Sequence, residues 1–207
     1  MKIAFTGNPN YGVAEAWNKT IYHHFTDFFS RNNGWDLDLP RKRREFAKHI
    51  VEYDVFINSS ALYHFHQVNL LKDVFEHWDK IGKSGRIINI GSIDGINTPY
   101  YENYSYSVAK AAVHKLTSVL AAKLIKDNII CNAIAPGPFP SKMLGSAVEH
   151  DYSVISKKNP SGRVGMPEDI AGLAIFLASR AGQYTVGETI TCDGGLVASA
   201  GHDLTND

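Results

Sequence analysis

The chain has 207 residues, and its 21 Lys+Arg are matched by 21 Asp+Glu, so the formal net charge is zero. That length suits one domain that buries a core without metal or disulfide staples. A hydrophobic fraction of 44% against 20% charged excludes broad disorder, and neutrality leaves no global field to draw the protein to nucleic acid or an anionic membrane.

In chain order, the apolar run Lys2–Thr6 reads as a strand. It enters the turn Gly7-Asn8-Pro9-Asn10-Tyr11-Gly12-Val13-Ala14, which opens a helix over about Gly12–His24. The turn comes too early for a secretory signal. No apolar run approaches the ~20 residues a membrane helix needs. Glycine at such a turn lets backbone N–H groups approach a diphosphate at the helix N-terminus, and a plain strand–helix turn looks the same.

The next strand, Thr26–Ser30, ends at Ser30-Arg31. In a dinucleotide-binding sheet that end lies beside the adenosine ribose. An acid there would accept from the 2′-hydroxyl of NAD, whereas Arg pairs with the 2′-phosphate of NADP. Arg31 therefore makes NADP(H) the preferred cofactor and NAD(H) the alternative; as a bare loop residue it would simply be solvated. Only four residues separate Arg31 from Asp36, and a parallel crossover takes ~10–12 residues or more. One βα unit of the usual fold is thus missing, which predicts six strands ordered 2-1-3-4-5-6.

Pro40 starts a helix over Arg41–Glu52, whose run Arg41-Lys42-Arg43-Arg44 reads as a solvated face and not a nucleic-acid patch. A strand at Asp54–Asn58 and a helix at Phe65–Ile81 follow. His23-His24 and the pair His64 and His66 lack Cys, Asp or Glu to complete a ligand set, so no metal site is expected. His64 and His66 fall near the rim of the predicted site.

Strand Arg86–Ile90 carries Ser92 just past its carboxyl end, where a hydroxyl can hydrogen-bond a substrate oxygen. Fourteen residues later comes Tyr106, in a helix over Asn103–Asp127. Lys110 is at i+4, on the same helical face, and a neighbouring cation favours the phenolate. A tyrosine tuned in this way exchanges protons near neutral pH. The spacing alone fits a surface Tyr–Lys pair equally well. Strand Ile129–Ala135 ends in Pro136-Gly137-Pro138, a rigid turn able to wall a flat nicotinamide. The polar segment Ser141–Gly162 is placed as a lid, and Tyr100, Tyr101 and Tyr104 face the same pocket or an interface. Pro167–Ala178 reads as a helix with Glu168 and Asp169 in its positive first turn. Thr189–Asp193 is the last strand. Strands that are nearly continuous in apolar residues belong to sheets covered on both faces. The fold class is therefore α/β, a doubly wound, Rossmann-like parallel sheet in a single domain over 1–207. Cys131 and Cys192, sixty-one positions apart, form no framework and read as reduced thiols of a cytoplasmic protein.

From Arg86 to Leu196 the chain resembles a short-chain dehydrogenase/reductase of the ordinary single-domain branch, shortened in its N-terminal half. The resemblance rests on RIINIGS, YSVAKAAVHKLTSVLA, CNAIAPGP, GRVGMPEDIAGLAIFLAS and GETITCDGGL, and persists in DVFINSSA and VNLLKDVF. It implies four catalytic residues. Tyr106 is the general acid/base, Lys110 lowers its pKa and holds the nicotinamide ribose, Ser92 orients the substrate carbonyl, and Asn69 anchors a relay water. It also implies a cofactor surface. Thr6, Gly7, Gly12 and Ala14 form the glycine-rich turn, with one residue inserted. Asp36 contacts adenine, Asn58 follows the strand leading to the site, and Ile90, Pro136, Gly137, Pro138 and Phe139 surround the nicotinamide. Ser141 stands where the family often has threonine. Three departures alter this pattern: TGNPNYGVA lacks the third glycine, Asn58-Ser59-Ser60-Ala61 replaces Asn-Ala-Gly, and the missing crossover removes part of the adenosine wall, which relaxes cofactor choice.

The expected activity is NADP-dependent hydride transfer between a carbonyl and an alcohol on a small-molecule substrate. The alternative is a non-catalytic NADP-binding sensor or interaction module. The resemblance further implies a homotetramer or homodimer, paired through Phe65–Ile81 and Asn103–Asp127.

Overall fold

The computed structural model describes residues 2–6, 18, 26–59, 74, 85–99 and 102–199. Six strands form one sheet: β1 (Ile3–Thr6), β2 (Thr26–Phe29), β3 (Val55–Asn58), β4 (Gly85–Ile90), β5 (Ile129–Pro136) and β6 (Thr189–Cys192). Every pairing is parallel, in the order β2-β1-β3-β4-β5-β6. This is the predicted order, and it places the reversal of strand order, the switch point where such folds bind ligands, at β1/β3. The described helices are α1 (Pro40–His49), α2 (Tyr104–Leu124), α3 (Lys142–Ala147), α4 (Ser153–Lys158) and α5 (Pro167–Ala178).

Alternation along the strands divides the core into two layers. Ala4, Phe56, Ile87 and Cys131 face α1 and α2, packing with Phe46, Leu120 and Leu124. Ile3, Phe5, Val55, Ile57, Ile88 and Ile134 face α5, packing with Ile170, Ala174 and Leu177. Side chains alternate across a strand with period two, so each strand must be apolar on both faces to fill both layers.

The missing βα unit leaves β2 at the edge of the sheet. The chain closes that edge with a single 3-10 turn, Arg31–Asn33, and Gly34 at φ 89°. That left-handed conformation suits glycine. Asn33 fastens the turn by accepting from the Ser30 N–H at 2.8 Å and donating to the Phe28 carbonyl. Six residues later Pro40 opens α1. The buried Arg43 of α1 donates from Nη1 to the carbonyls of Leu37 and Asp38, which anchors the intervening loop.

Two details depart from the sequence reading. The predicted lid contains the short helices α3 and α4, and α2 ends in a 3-10 turn, Ile125–Asp127, closed by Asn128 at φ 56°. The segments predicted as helices around Gly12–His24 and Phe65–Ile81 lie almost wholly outside the described residues.

Candidate active site

The carboxyl ends of β1, β3, β4 and β5 open on one side of the sheet, and the described site residues gather there. A buried polar line runs across this end. Thr6, Asn58 and Asn89 occupy matching register positions on β1, β3 and β4. Thr6 Oγ1 donates to Asn58 Oδ1 at 3.2 Å, and Asn58 Nδ2 donates to Asn89 Oδ1 at 3.1 Å. Asn89 Nδ2 in turn donates to Thr117 Oγ1 on α2 at 3.0 Å, and the Thr117 hydroxyl donates to the Val113 carbonyl at 2.8 Å. Thr6 Oγ1 also accepts from the Ser59 N–H at 3.0 Å. Buried polar groups are costly unless paired, so this chain holds strand ends and helix in one arrangement. Thr6 and Asn58 therefore act from inside the sheet, beneath the crevice.

Just beyond, Ile90 is buried, and Ser92 begins the 3-10 turn Ile93–Gly95. Ser92 Oγ accepts from the Asp94 N–H at 3.2 Å, which leaves its own proton available to donate. The turn abuts α2: a Cβ on Gly95 would lie 2.7 Å from Lys110 C and Ala111 N. Lys110 is thereby brought to the Ser92 turn, with Tyr106 one helical turn before it on α2. Lys110 is 7% exposed, its Nζ donates to the Ile90 carbonyl at 2.9 Å, and it stands 5.6 Å from the centre of the Tyr106 ring. Burial pulls the Lys110 ammonium down to about 8, because desolvation disfavours the charged form.

The turn after β5 is braced from two sides. The Gly137 N–H donates to the Cys192 carbonyl at 3.0 Å, and the Gly165 N–H donates to the Pro138 carbonyl at 2.9 Å. A Cβ on Gly137 would lie 2.8 Å from Asp193 Cα, and one on Gly165 would lie 2.4 Å from the Phe139 ring. Pro136, Gly137, Pro138 and Phe139 thus form a fixed, half-buried wall. Ser141 does not point freely at this wall; its hydroxyl caps α3 by accepting from the Leu144 N–H at 3.1 Å. Asn159, from the lid, donates to the Asp193 carbonyl at 3.0 Å.

At the other end of the crevice Arg31 is exposed past β2, next to Ser30. Its guanidinium pairs with Asp38 and, at 3.3 Å, with Asp36. Gly7, Gly12, Ala14 and Asn69 lie outside the described residues. Among the described residues no His/Cys/Asp/Glu group could hold a metal ion, and no helix is long and apolar enough to cross a membrane.

The donor set suits a dinucleotide. It comprises a guanidinium just past β2, a buried ammonium at the end of β4 and a rigid prolyl wall after β5. Sequence comparison gives the same reading, since residues 44–197 match the family described as enoyl-(acyl carrier protein) reductase. The chain belongs to the short-chain dehydrogenase/reductase family. The rhamnolipid-biosynthesis 3-oxoacyl-(acyl-carrier-protein) reductase of Pseudomonas aeruginosa is 45% identical over 117 residues, 54% of this chain and 44% of that protein. The 2-keto-3-deoxy-L-fuconate dehydrogenase of Xanthomonas campestris is 33% identical over 167 residues, 77% of this chain and 51% of that protein. This short-chain dehydrogenase/reductase spans about half the length of these curated relatives. The structure of Pseudomonas aeruginosa RhlG in an NADP active-site complex superposes with a TM-score of 0.80 at 27% identity, covering 95% of this chain and 96% of that one.

Sequence reasoning missed Asn89 and Thr117. The signal was present: VFIN and RIINI each place one Asn inside an apolar strand, and a lone amide there needs a partner. It also missed His114, which sits one turn after Lys110.

Proposed function

We propose that the chain is an NADP(H)-dependent oxidoreductase, one dinucleotide-binding and catalytic domain that interconverts a carbonyl and an alcohol. The observation that carries this reading is Lys110, whose buried ammonium is anchored at the Ile90 carbonyl beside the Tyr106 ring. A buried cation costs free energy, and its place against a phenol gives it a chemical use: it favours the phenolate. Arg31 would hold the 2′-phosphate, Lys110 the nicotinamide ribose, and Pro136 to Phe139 the nicotinamide. The bound cofactor supplies the hydride. The Tyr106 phenol gives its proton to the substrate oxygen, Ser92 Oγ donates a hydrogen bond to that oxygen, and Asn69 supports the water that restores the proton.

The name of the fuconate dehydrogenase supports a small carbonyl or hydroxy compound as substrate, that of the reductase supports a 3-oxoacyl group, and the RhlG complex supports NADP. On α2, Tyr104 and Val108 are 73% and 67% exposed, which supports pairing of this helix in a homodimer or homotetramer. A cytoplasmic setting suits the two free cysteines, Cys131 and Cys192, since thiols stay reduced there.

The test is Tyr106→Phe. Turnover should be abolished while NADPH affinity by calorimetry stays nearly unchanged. Retained turnover excludes the assigned role. Tight NADPH binding by the wild type, with no reduction of any carbonyl compound, would return the sensor reading.

A further inference from the structure

The turn that carries Ser92 rests on a residue with no role in the proposed reaction. His114 lies one helical turn beyond Lys110, half-buried beneath the turn. Its Nε2 accepts from the Ser92 backbone N–H at 3.3 Å. The imidazole also hydrogen-bonds the Gly95 backbone. One ring therefore spans both ends of the Ser92–Gly95 turn. The fit depends on two glycines: a Cβ on Gly91 would lie 2.0 Å from His114 Nε2, and one on Gly95 would lie 2.8 Å from Cε1.

A ring nitrogen that accepts carries no proton, so His114 is the neutral tautomer with its proton on Nδ1. Protonation at Nε2 would set two donors, the imidazolium and the Ser92 N–H, against each other. We propose that His114 is a positioning residue for Ser92: the neutral imidazole holds the turn that aims the Ser92 hydroxyl, and gaining a proton releases it. This rests on the assignment of Ser92 as donor to the substrate oxygen.

Two surroundings keep the ring neutral. Burial pulls its pKa below the usual value, the Gly95 hydrogen bond opposes this, and the Lys110 charge adds to the lowering. Of the elements packed against it, α2 contributes Lys110. The turn contributes Asp94, whose carboxylate accepts from Asn103 Nδ2 at 3.0 Å. β5 carries no titratable side chain except Cys131.

The test uses the full chain labelled with ¹⁵N and followed by NMR across pH 4.5–8. The expected result is an Nδ1–H tautomer for His114, a titration midpoint below ~6.5, and a Ser92 amide resonance that moves with the same midpoint. An Nε2–H tautomer, or a Ser92 amide indifferent to the titration, overturns the proposal. His114→Gln, with an amide oxygen in place of Nε2, adds a kinetic arm with NADPH and ethyl acetoacetate, a small β-keto ester. Wild-type kcat should fall on the acid side with the NMR midpoint, and the variant should lose that acid limb while KM for NADPH changes less than about twofold. An unchanged acid limb in the variant overturns the proposal. Failure of the broader enzymatic reading would leave both proteins without turnover but the Ser92 amide still titrating, so the two failures are distinguishable.

Discussion

Lys110 Nζ donates to the carbonyl of Ile90 at 2.9 Å, so the last residue of β4 fixes the cation that faces Tyr106. The contact links a sheet end to a helix face through one buried charge. Burial opposes that charge and lowers the Lys110 pKa from 10.5 to about 8. Keeping that ammonium charged at neutral pH costs about 3 kcal/mol, which the charge-assisted hydrogen bond to Ile90 offsets by about 1.5–3 kcal/mol.

Lys110→Met should therefore abolish turnover and stabilise the ligand-free protein by up to about 1.5 kcal/mol at pH 7, a rise in Tm of up to about 4 °C. The sign with pH follows from linkage. The folded pKa is below the unfolded one, so wild-type stability rises as pH climbs from about 8 toward ~10.4. The advantage of the variant should shrink over that range. Calorimetric scans at pH 7 and 9.5 check this; a variant less stable than wild type at both would show that the hydrogen bond outweighs the desolvation.

The polar line through Thr6, Asn58, Asn89 and Thr117 gives a second expectation. Asn89→Ala removes two of the line's buried hydrogen bonds, the one accepted from Asn58 Nδ2 and the one donated to Thr117 Oγ1. Unpaired buried polar groups cost about 1–3 kcal/mol each. Urea unfolding should register a loss of about 2–4 kcal/mol. In a double-mutant cycle with Asn58→Ala, the two losses should fall short of additivity by about 1 kcal/mol. Simple additivity would mean that the two amides do not cooperate.

Much of this architecture was legible in the sequence because parallel strands advertise themselves. The runs IAFT, VFIN and RIINI carry apolar residues on both faces, as two packed layers require, whereas TITC turns only Ile190 and Cys192 to the core. The short span from Arg31 to Asp36 left no room for a crossover, and β2 is accordingly the sheet edge. The Tyr106–Lys110 pair was legible from helical periodicity. Tertiary relations were not. Nothing local marks His114 as the support of Ser92, since their contact spans twenty-two positions, and the pairing of Arg31 with Asp36 and Asp38 depends on how the shortened loop folds back.

Gly137 is the point where the prolyl wall touches the C-terminal turn. A methyl group there would lie 2.8 Å from Asp193 Cα, a backbone atom that cannot swing aside. Gly137→Ala should push the wall away from Asp193 and weaken the Gly137 N–H bond to the Cys192 carbonyl. We expect NADPH affinity to fall about tenfold, with a stability loss of about 1–3 kcal/mol. Calorimetric titration and thermal unfolding of the same preparation separate the two; unchanged affinity would detach this wall from the nicotinamide.

The Arg31 pairing makes a prediction about cofactor choice. Asp38 and Asp36 already hold the guanidinium that would receive a 2′-phosphate, so NADPH must share or displace them, whereas NADH has no phosphate to place. Both acids sit on the loop that Arg43 anchors through the Leu37 and Asp38 carbonyls, so they do not drift away when the cofactor arrives. Removing one negative charge should help only the phosphorylated form. An exposed charge of this kind is worth about 1 kcal/mol, which is about fivefold in affinity. Asp38→Asn should thus tighten NADPH binding about fivefold and leave NADH within twofold. Arg31→Ala should erase the preference for NADPH, and raising the salt concentration should narrow it in the wild type. Paired calorimetric titrations with both nucleotides decide the matter: if the two affinities rise or fall together in Asp38→Asn, the 2′-phosphate does not bind at Arg31.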